Sequence, residues 1–367
     1  MDVVLPINGS AGSRHDNRRR LQHFGCSTWR STCGHPSRCV HGIFPRSRSG
    51  LAAGAVALLA LPVALTGDAA WAQAGRTTKI VVPFPPGGGV DVVARVLAEQ
   101  IGRAQGPAMV IENRPGAGTA IGMDAALRAP PDGYTLLVTN NSFGVIPHLR
   151  KLDFDPLASF EPVCNLAVTP AVVVVNTESP YRTLAELIAA ARAKPGDMTI
   201  GGAPGTVLNV AVEMLQHAAD VRMTFVPFGG TSPAVNALLG GHLMSALVDY
   251  PAAAGQLQAG KLRALATGSP RRIEWLAQVP TVAESGYAGY DVELWYGLFA
   301  PAKVPKETIS RLEGWFARAS QAPEIGTRLV AQGITPVGTC GAAFATYIRK
   351  QYDEYGRIIR EASIKAE

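Results

Sequence analysis

Charge is sparse in this chain: Asp, Glu, Lys and Arg make up 17% of its 367 residues, and aromatics 7%. Residues 1–74 contain no lysine and no glutamate, only eight arginines and three aspartates. Setting that segment aside leaves 26 basic and 25 acidic side chains, so the formal +6 of the whole chain falls to about +1. No basic stripe remains that would track nucleic acid or an acidic membrane surface. Cysteine is equally scarce, with only Cys164 and Cys340 beyond residue 74. They lie too far apart for a C-x-x-C metal or redox motif. In an oxidising compartment they either bridge or stay as two separate buried thiols. Histidine beyond residue 74 is limited to His148, His217 and His242, with no H-E-x-x-H and no G-x-S-x-G. A hydrolase or lyase needs a nucleophile beside a base, and the sequence offers no such pair. Low-complexity tracts and 20–50-residue repeats are also missing.

The one apolar run near the start covers 51–65, too short for a membrane span of about 20 residues. Arg46 and Arg48 precede it and Ala72-Gln73-Ala74 follows it, the pattern of a secretory signal. Cleavage is expected after Ala74, which places the protein in the periplasm. The roughly 45 residues upstream are unusual for a signal peptide and point to a start codon assigned too early. Arg18-Arg19-Arg20 lies too far from the apolar run to serve as a twin-arginine signal. The remaining 293 residues are long for one core and suit two domains.

The most informative stretch is 79–99. Ile80, Val81 and Val82 form a short β-branched run ended by Pro83. Asp91 is expected to open a helix carried by Val92, Val93, Val96, Leu97 and Ile101. Between them lie Pro83, Phe84, Pro85, Pro86, Gly87, Gly88 and Gly89. Three glycines without Cβ let a ligand approach backbone N–H groups at a helix N-terminus, where the dipole favours an anion. Asp91 is expected to turn its carboxylate onto those donors. No Gly-Lys-Ser/Thr follows and G-x-G-x-x-G does not fit, so the loop is not a nucleotide motif. On its own, a tight turn with glycine for steric reasons would explain it as well.

Strands are then expected at 108–111, 134–139, 163–175, 198–201, 221–227, 243–248, 262–267 and 291–300. Helices are expected up to 128 and at 183–194, 207–219, 234–239, 306–319 and 344–362. Thr183 with Glu186 has capping-box spacing, and Pro195-Gly196 stops that helix. The alternation implies open, mostly parallel sheets, with ligands outside the carboxyl ends of the strands. Neutral loops at 83–89, 140–142, 201–206 and 228–232 follow four strand ends, two in each half, which fits a cleft between lobes. Asp249 ends a strand and either binds a ligand amine or hydroxyl or caps a helix. Tyr250 either stacks on a ligand ring or packs a lobe. Thr206 is expected to cap its helix, and Trp295 and Tyr296 to pack the core or hinge.

Assembled in order, the motifs PFPPGGGVDVVAR (83–95), ENRPGAG (112–118), PDGYT (131–135), Gly205-Thr206 with Ala211 and Glu213, VPF (226–228) with Pro233-Ala234, LLGG (238–241), GKLRALA (260–266), Pro280-Thr281 with Glu284, and WYGLFAP (295–301) resemble one family. It is that of the substrate-binding proteins of tripartite tricarboxylate transporters, the Bug receptors, over essentially all of 78–367. The resemblance implies an α/β type II periplasmic binding-protein fold, two α/β lobes with a ligand cleft between them. Lobe 1 would hold 78–175 and 298–367, and lobe 2 would hold 176–297. It implies a small organic carboxylate as ligand, membrane transporter subunits as partners, no cofactor, no metal, no nucleic acid, and a monomer. By position, Phe84, Pro86, Gly87, Gly88, Gly89, Asp91, Ser142, Gly205, Thr206, Gly230, Thr231, Ser232 and Asp249 would line the cleft. Three residues depart from the family pattern: Asn209 stands at a usual histidine, Gly229 at a common lysine, and Tyr250 at a smaller residue. A sensor receptor that presents the bound carboxylate to a signalling partner is the alternative role.

Overall fold

A computed structural model describes residues 76–362 and 364. The expected leader, with its signal peptide and cleavage point, lies outside them. No helix among the described residues is long and apolar enough to cross a membrane.

The chain begins with β1 (Thr78–Val82), which pairs in parallel with β2 (Met109–Asn113) and β3 (Thr135–Asn140). Helix α1 (Gly89–Arg103) returns between β1 and β2. Its buried residues Val90, Val93, Ala94, Leu97, Ala98 and Ile101 recur at helical spacing and face the sheet. Helices α2 (Ala120–Leu127), α3 (Ser142–Leu149) and α4 (Pro156–Ser159) follow. The long strand β4 (Phe160–Asn176) then leaves this sheet for the next.

The second half continues with α5 (Leu184–Ala193), β5 (Thr199–Gly202), α6 (Val207–Ala219), β6 (Thr224–Pro227), α7 (Thr231–Leu239), β7 (Ser245–Asp249), α8 (Tyr250–Gln258) and β8 (Leu262–Thr267). Strand β5 is parallel to β6 and β7. The chain returns through β9 (Glu293–Pro301) and closes with α9 (Lys306–Gln321), α10 (Pro323–Val330), β10 (Thr335–Cys340) and α11 (Ala342–Glu361).

The architecture is two α/β lobes, and the sheets are mixed rather than mostly parallel. β4 runs antiparallel to β7, β8, β9 and β10, and β9 runs antiparallel to β3. The reason is that β4 and β9 are crossing strands, one outbound and one returning, not members of β–α–β units. Residues 160–170 of β4 pair with β9, and residues 171–176 pair with β7 and β8. Both division points expected from the sequence, 175/176 and 297/298, fall inside strands.

Each sheet is covered on both faces. In the first lobe Ile80, Val82, Leu136 and Val138 pack with Val93, Leu97 and Phe316, while Phe143, Trp295, Phe299 and Phe344 fill the opposite side. In the second, Ala171, Val173 and Val175 pack against Ala211 and Leu215, and alternate residues Val172 and Val174 pack against Ala234 and Leu238. This period of two explains why 171–175 reads as an unbroken apolar run: the strand is buried on both sides. Helix α11 serves both lobes, with Phe344 and Ile348 in the first core and Ile359 in the second.

Cys340 stands opposite Cys164 in the β10–β4 ladder, and the two form a disulfide. Thr183 Oγ1 accepts from the Glu186 N–H as expected, but Glu186 reaches the Arg182 N–H instead of closing the box on Thr183. Other boundaries differ as well. Helix α3 begins at Ser142, read as part of a polar strand end, α7 starts at Thr231, three residues before the expected Ala234, and β6 starts at Thr224, three after the expected Val221. Elements α4, α8, α10 and β10 were not expected.

Candidate functional site

The carboxyl ends of β1, β5 and β7 point into the space between the lobes, where α1, α6, α7 and α8 begin. Gly87 adopts φ 88°, which only glycine holds without strain, and turns the chain into α1. Gly88 is the N-cap in ordinary extended conformation, φ −82° and ψ 168°. Gly89 is the close-approach glycine: a Cβ there would lie 1.8 Å from the Tyr296 hydroxyl and 2.6 Å from Asp249 Oδ2.

Those two neighbours define the cleft. Asp249, at the end of β7, makes no side-chain cap on its own helix α8. Its Oδ2 accepts from the Gly89 N–H of the other lobe at 2.6 Å, and from the Tyr296 hydroxyl at 3.2 Å. Asp249 therefore caps α1 across the cleft. Burial, reinforced by the Asp249 charge, raises the Tyr296 phenol well above its usual range. The sequence reading placed Tyr296 in packing only. It is fully buried as expected, yet its hydroxyl takes part in the site, and only the polar tip of an otherwise apolar ring hinted at that.

A second cross-lobe cap lies nearby. Ser142 Oγ accepts from the Val207 N–H at the start of α6 at 3.2 Å. Thr206 was expected to cap this helix. It sits at the N-cap without a side-chain bond to the helix, and its Oγ1 donates to the Ala203 carbonyl at 2.7 Å. Asn209 Oδ1 accepts from the Gly205 N–H at 3.3 Å and so holds the same turn. Gly205 meets Gly118 of the first lobe: a Cβ on Gly118 would lie 2.9 Å from the Gly205 carbonyl oxygen.

Asp91 is inside α1 rather than its first residue, and its carboxylate faces back into the loop. It accepts from the Gly87 N–H at 3.1 Å, Arg95 Nε at 2.9 Å and Asn113 Nδ2 at 2.9 Å. Asn113 also donates to the Phe84 carbonyl. Burial pushes the Asp91 carboxyl up, but the bonds from Arg95, Asn113 and Gly87 outweigh it and hold the group below its ordinary value. Asp91 shapes the loop from behind.

Between the lobes lies a small cavity of about 20 Å³, lined by Phe84, Gly88, Gly89, Thr206, Gly230, Thr231, Ser232 and Asp249 from the expected set. Pro85, Val90, Asn140, Ala203 and Leu208 complete the lining. Pro86, Gly87, Asp91, Ser142 and Gly205 are not part of it. Tyr250 turns away to pack edge-on against Trp275, at 4.6 Å between ring centroids. No lysine, arginine or histidine touches the cavity; Asp249 is its one charged residue. Helix α7 begins at the cavity with Gly230 as N-cap and no side chain capping its first turn. What the arrangement offers chemically is backbone and hydroxyl donors for an anion, with one carboxylate beside them. Among the described residues, no group of three or more His, Cys, Asp or Glu is placed to hold a metal ion.

Two α/β lobes, joined by crossing strands and meeting over helix N-termini, are those of a two-lobed solute-binding protein of the type II periplasmic fold. The chain belongs to the tripartite tricarboxylate transporter receptor family, whose model matches residues 93–364. Among solved structures it is similar to the periplasmic binding protein BugD, with 30% identity, TM-score 0.76, 80% of this chain and 99% of that one covered. It is also similar to Rpa4515 of R. palustris with adipate, with 27% identity, TM-score 0.77 and coverage of 80% and 99%. A third neighbour is MatC of Rhodopseudomonas palustris with bound malate, at 29% identity, TM-score 0.72 and coverage of 77% and 99%.

Proposed function

We propose that the protein binds a small organic carboxylate in the periplasm and delivers it to the membrane subunits of a tripartite tricarboxylate-type transporter. The observation that carries the reading is the uncapped start of α7 at a cavity lined from both lobes. An anion placed there meets N–H donors and the positive end of the helix dipole. No cationic side chain is needed: hydrogen bonds to a charged group contribute roughly 1.5–3 kcal/mol each, so a few account for micromolar binding. The adipate and malate held by the two R. palustris proteins, and the periplasmic setting of BugD, support the ligand class and the compartment.

A space of 20 Å³ holds about one water molecule. A carboxylate with a carbon skeleton therefore enters only when the lobes part, with β4 and β9 as the hinge strands. The same reading takes the protein as a monomer that releases its ligand unchanged.

A thermal-shift and calorimetric panel of mono-, di- and aromatic carboxylates tests the binding. One ligand should bind one chain saturably, and at about 100 times its dissociation constant stabilise it by roughly 2.7 kcal/mol. A folded protein that binds none of them defeats the reading. Delivery is tested by deleting the gene and measuring cellular uptake of the bound carboxylate, which should fall.

A further inference from the structure

We propose that Asp249 makes the site selective for carboxylates that carry a hydrogen-bond donor, an ammonium or hydroxyl group, on the carbon next to the carboxylate. The inference rests on the proposed carboxylate binding and assigns which carboxylates the cavity takes.

The two oxygens of Asp249 differ. Oδ2 receives both protein donors, the Gly89 N–H at 2.6 Å and the Tyr296 hydroxyl at 3.2 Å. Oδ1 is buried and has no hydrogen-bond partner, on a residue only 5% exposed that lines the cavity. A buried carboxylate oxygen without a donor is unfavourable, and a ligand that supplies one relieves it. Asp249 is also the one charge on a wall without lysine, arginine or histidine. A ligand carboxylate entering the same space meets like charge in a medium that screens it poorly. A donor between the two carboxylates, best a cationic one, turns that repulsion into a bridge.

The geometry fixes which end of the ligand goes where. A Cβ on Gly88 would meet Thr231 Oγ1 at 3.4 Å, and one on the next residue, Gly89, would meet Asp249 Oδ2. The start of α7 and the Asp249 carboxylate thus stand beside consecutive residues of one loop. The ligand carboxylate lies on the α7 N-terminus around Thr231 and Ser232. Consecutive Cα atoms lie about 3.8 Å apart, so a donor on the carbon next to the ligand carboxylate is the one placed to reach Asp249. Ser232 Oγ, buried and also without a partner, is a further donor on the carboxylate side.

The test is calorimetric titration of wild type and Asp249→Asn with two matched series, propionate, lactate and alanine, and succinate, malate and aspartate. Within the series that binds, the hydroxy compound should bind wild type at least about tenfold more tightly than its parent, and the amino compound more tightly still. In Asp249→Asn, the same size without the charge, the preference for the amino compound should collapse to within about threefold. A purely structural role for Asp249 would weaken all members alike and leave the ratios unchanged, so unchanged ratios overturn the proposal. Parent compounds that bind wild type as well as their substituted partners also overturn it, while leaving carboxylate binding intact. That comparison needs only wild type and decides the matter even if the variant fails to fold. Absence of binding by all six overturns the inference, whereas the carboxylate reading itself falls only if the wider mono-, di- and aromatic panel also fails to bind.

Discussion

Ser142 and Val207 are 65 residues apart in sequence and on opposite lobes, yet the Ser142 Oγ accepts the Val207 N–H at 3.2 Å. The helix start of one lobe is thereby completed by a side chain of the other. Ser142→Ala should remove this cap, lowering stability by about 1 kcal/mol, the usual worth of an N-cap hydroxyl. Because the bond spans the cleft, the variant should also favour parted lobes. Thermal melting and the radius of gyration in solution measure the two effects. A melting temperature equal to that of wild type would show that the bond does not hold in solution.

The three loop glycines should behave differently when given a methyl group. Gly89→Ala should cost at least tenfold in ligand affinity, about 1.4 kcal/mol, because its Cβ would overlap the Tyr296 hydroxyl and Asp249. Gly87→Ala should cost about 1 kcal/mol of folding stability, since φ 88° strains a residue with a Cβ. Gly88→Ala should be the mildest, with ordinary dihedrals and only Thr231 Oγ1 at 3.4 Å. Equal effects at 88 and 89, by calorimetry and melting, would contradict this assignment of roles.

Asp91 gives a pH signature with a definite sign. Its folded carboxyl lies below the ordinary 3.8 because, against the pull of burial, it accepts bonds from Arg95, Asn113 and Gly87. A depressed folded pKa contributes stability that is complete above the unfolded value and is lost as pH falls through the folded one. Asp91→Asn should therefore cost about 2 kcal/mol near pH 7, where a charged acceptor is lost. The gap to wild type should narrow as pH drops below 3.8. Urea titrations of both proteins between pH 7 and pH 3 test this, and a gap that widened in acid would refute it.

The Cys164–Cys340 disulfide joins residues 176 apart and ties the C-terminal β10 to the crossing strand β4. Cross-linking so long a loop restrains the unfolded chain, so reduction should destabilise the protein by roughly 2–5 kcal/mol. The denaturation midpoint of wild type should fall on adding dithiothreitol, whereas a Cys164→Ala/Cys340→Ala double variant should show no response. A wild type indifferent to reductant would place the bond outside the folded state.

The sequence revealed elements wherever local chemistry marked both ends. Helix α6 and strand β8 begin and end at the expected residues because glycine, proline and threonine punctuate their flanks. Helix α3 was not legible: it contains the poor helix formers Gly144 and Pro147, and its stability comes from Phe143, Val145 and Ile146 buried against other elements. The glycine loop was legible as a turn into a helix start, but of its expected anion donors the Gly87 and Gly89 N–H groups are taken by Asp91 and Asp249. That Asp249, 160 residues later, would occupy one of them was not legible, because such a pairing depends on how the lobes meet. Asp91 does turn its carboxylate onto a loop donor, the Gly87 N–H, as its position suggested; its further partners Arg95 and Asn113 were not foreseen.

Strand β4 runs 17 residues without interruption, about 56 Å at the usual rise per residue. Its first part is an interior strand of one sheet and its last part an interior strand of the other. Neither lobe is therefore a separable module. A fragment cut at either end of β4 would leave one sheet with an open edge through its middle, exposing unpaired backbone and apolar residues on both faces. In evolution as in the laboratory, the two halves of the fold cannot be exchanged one at a time.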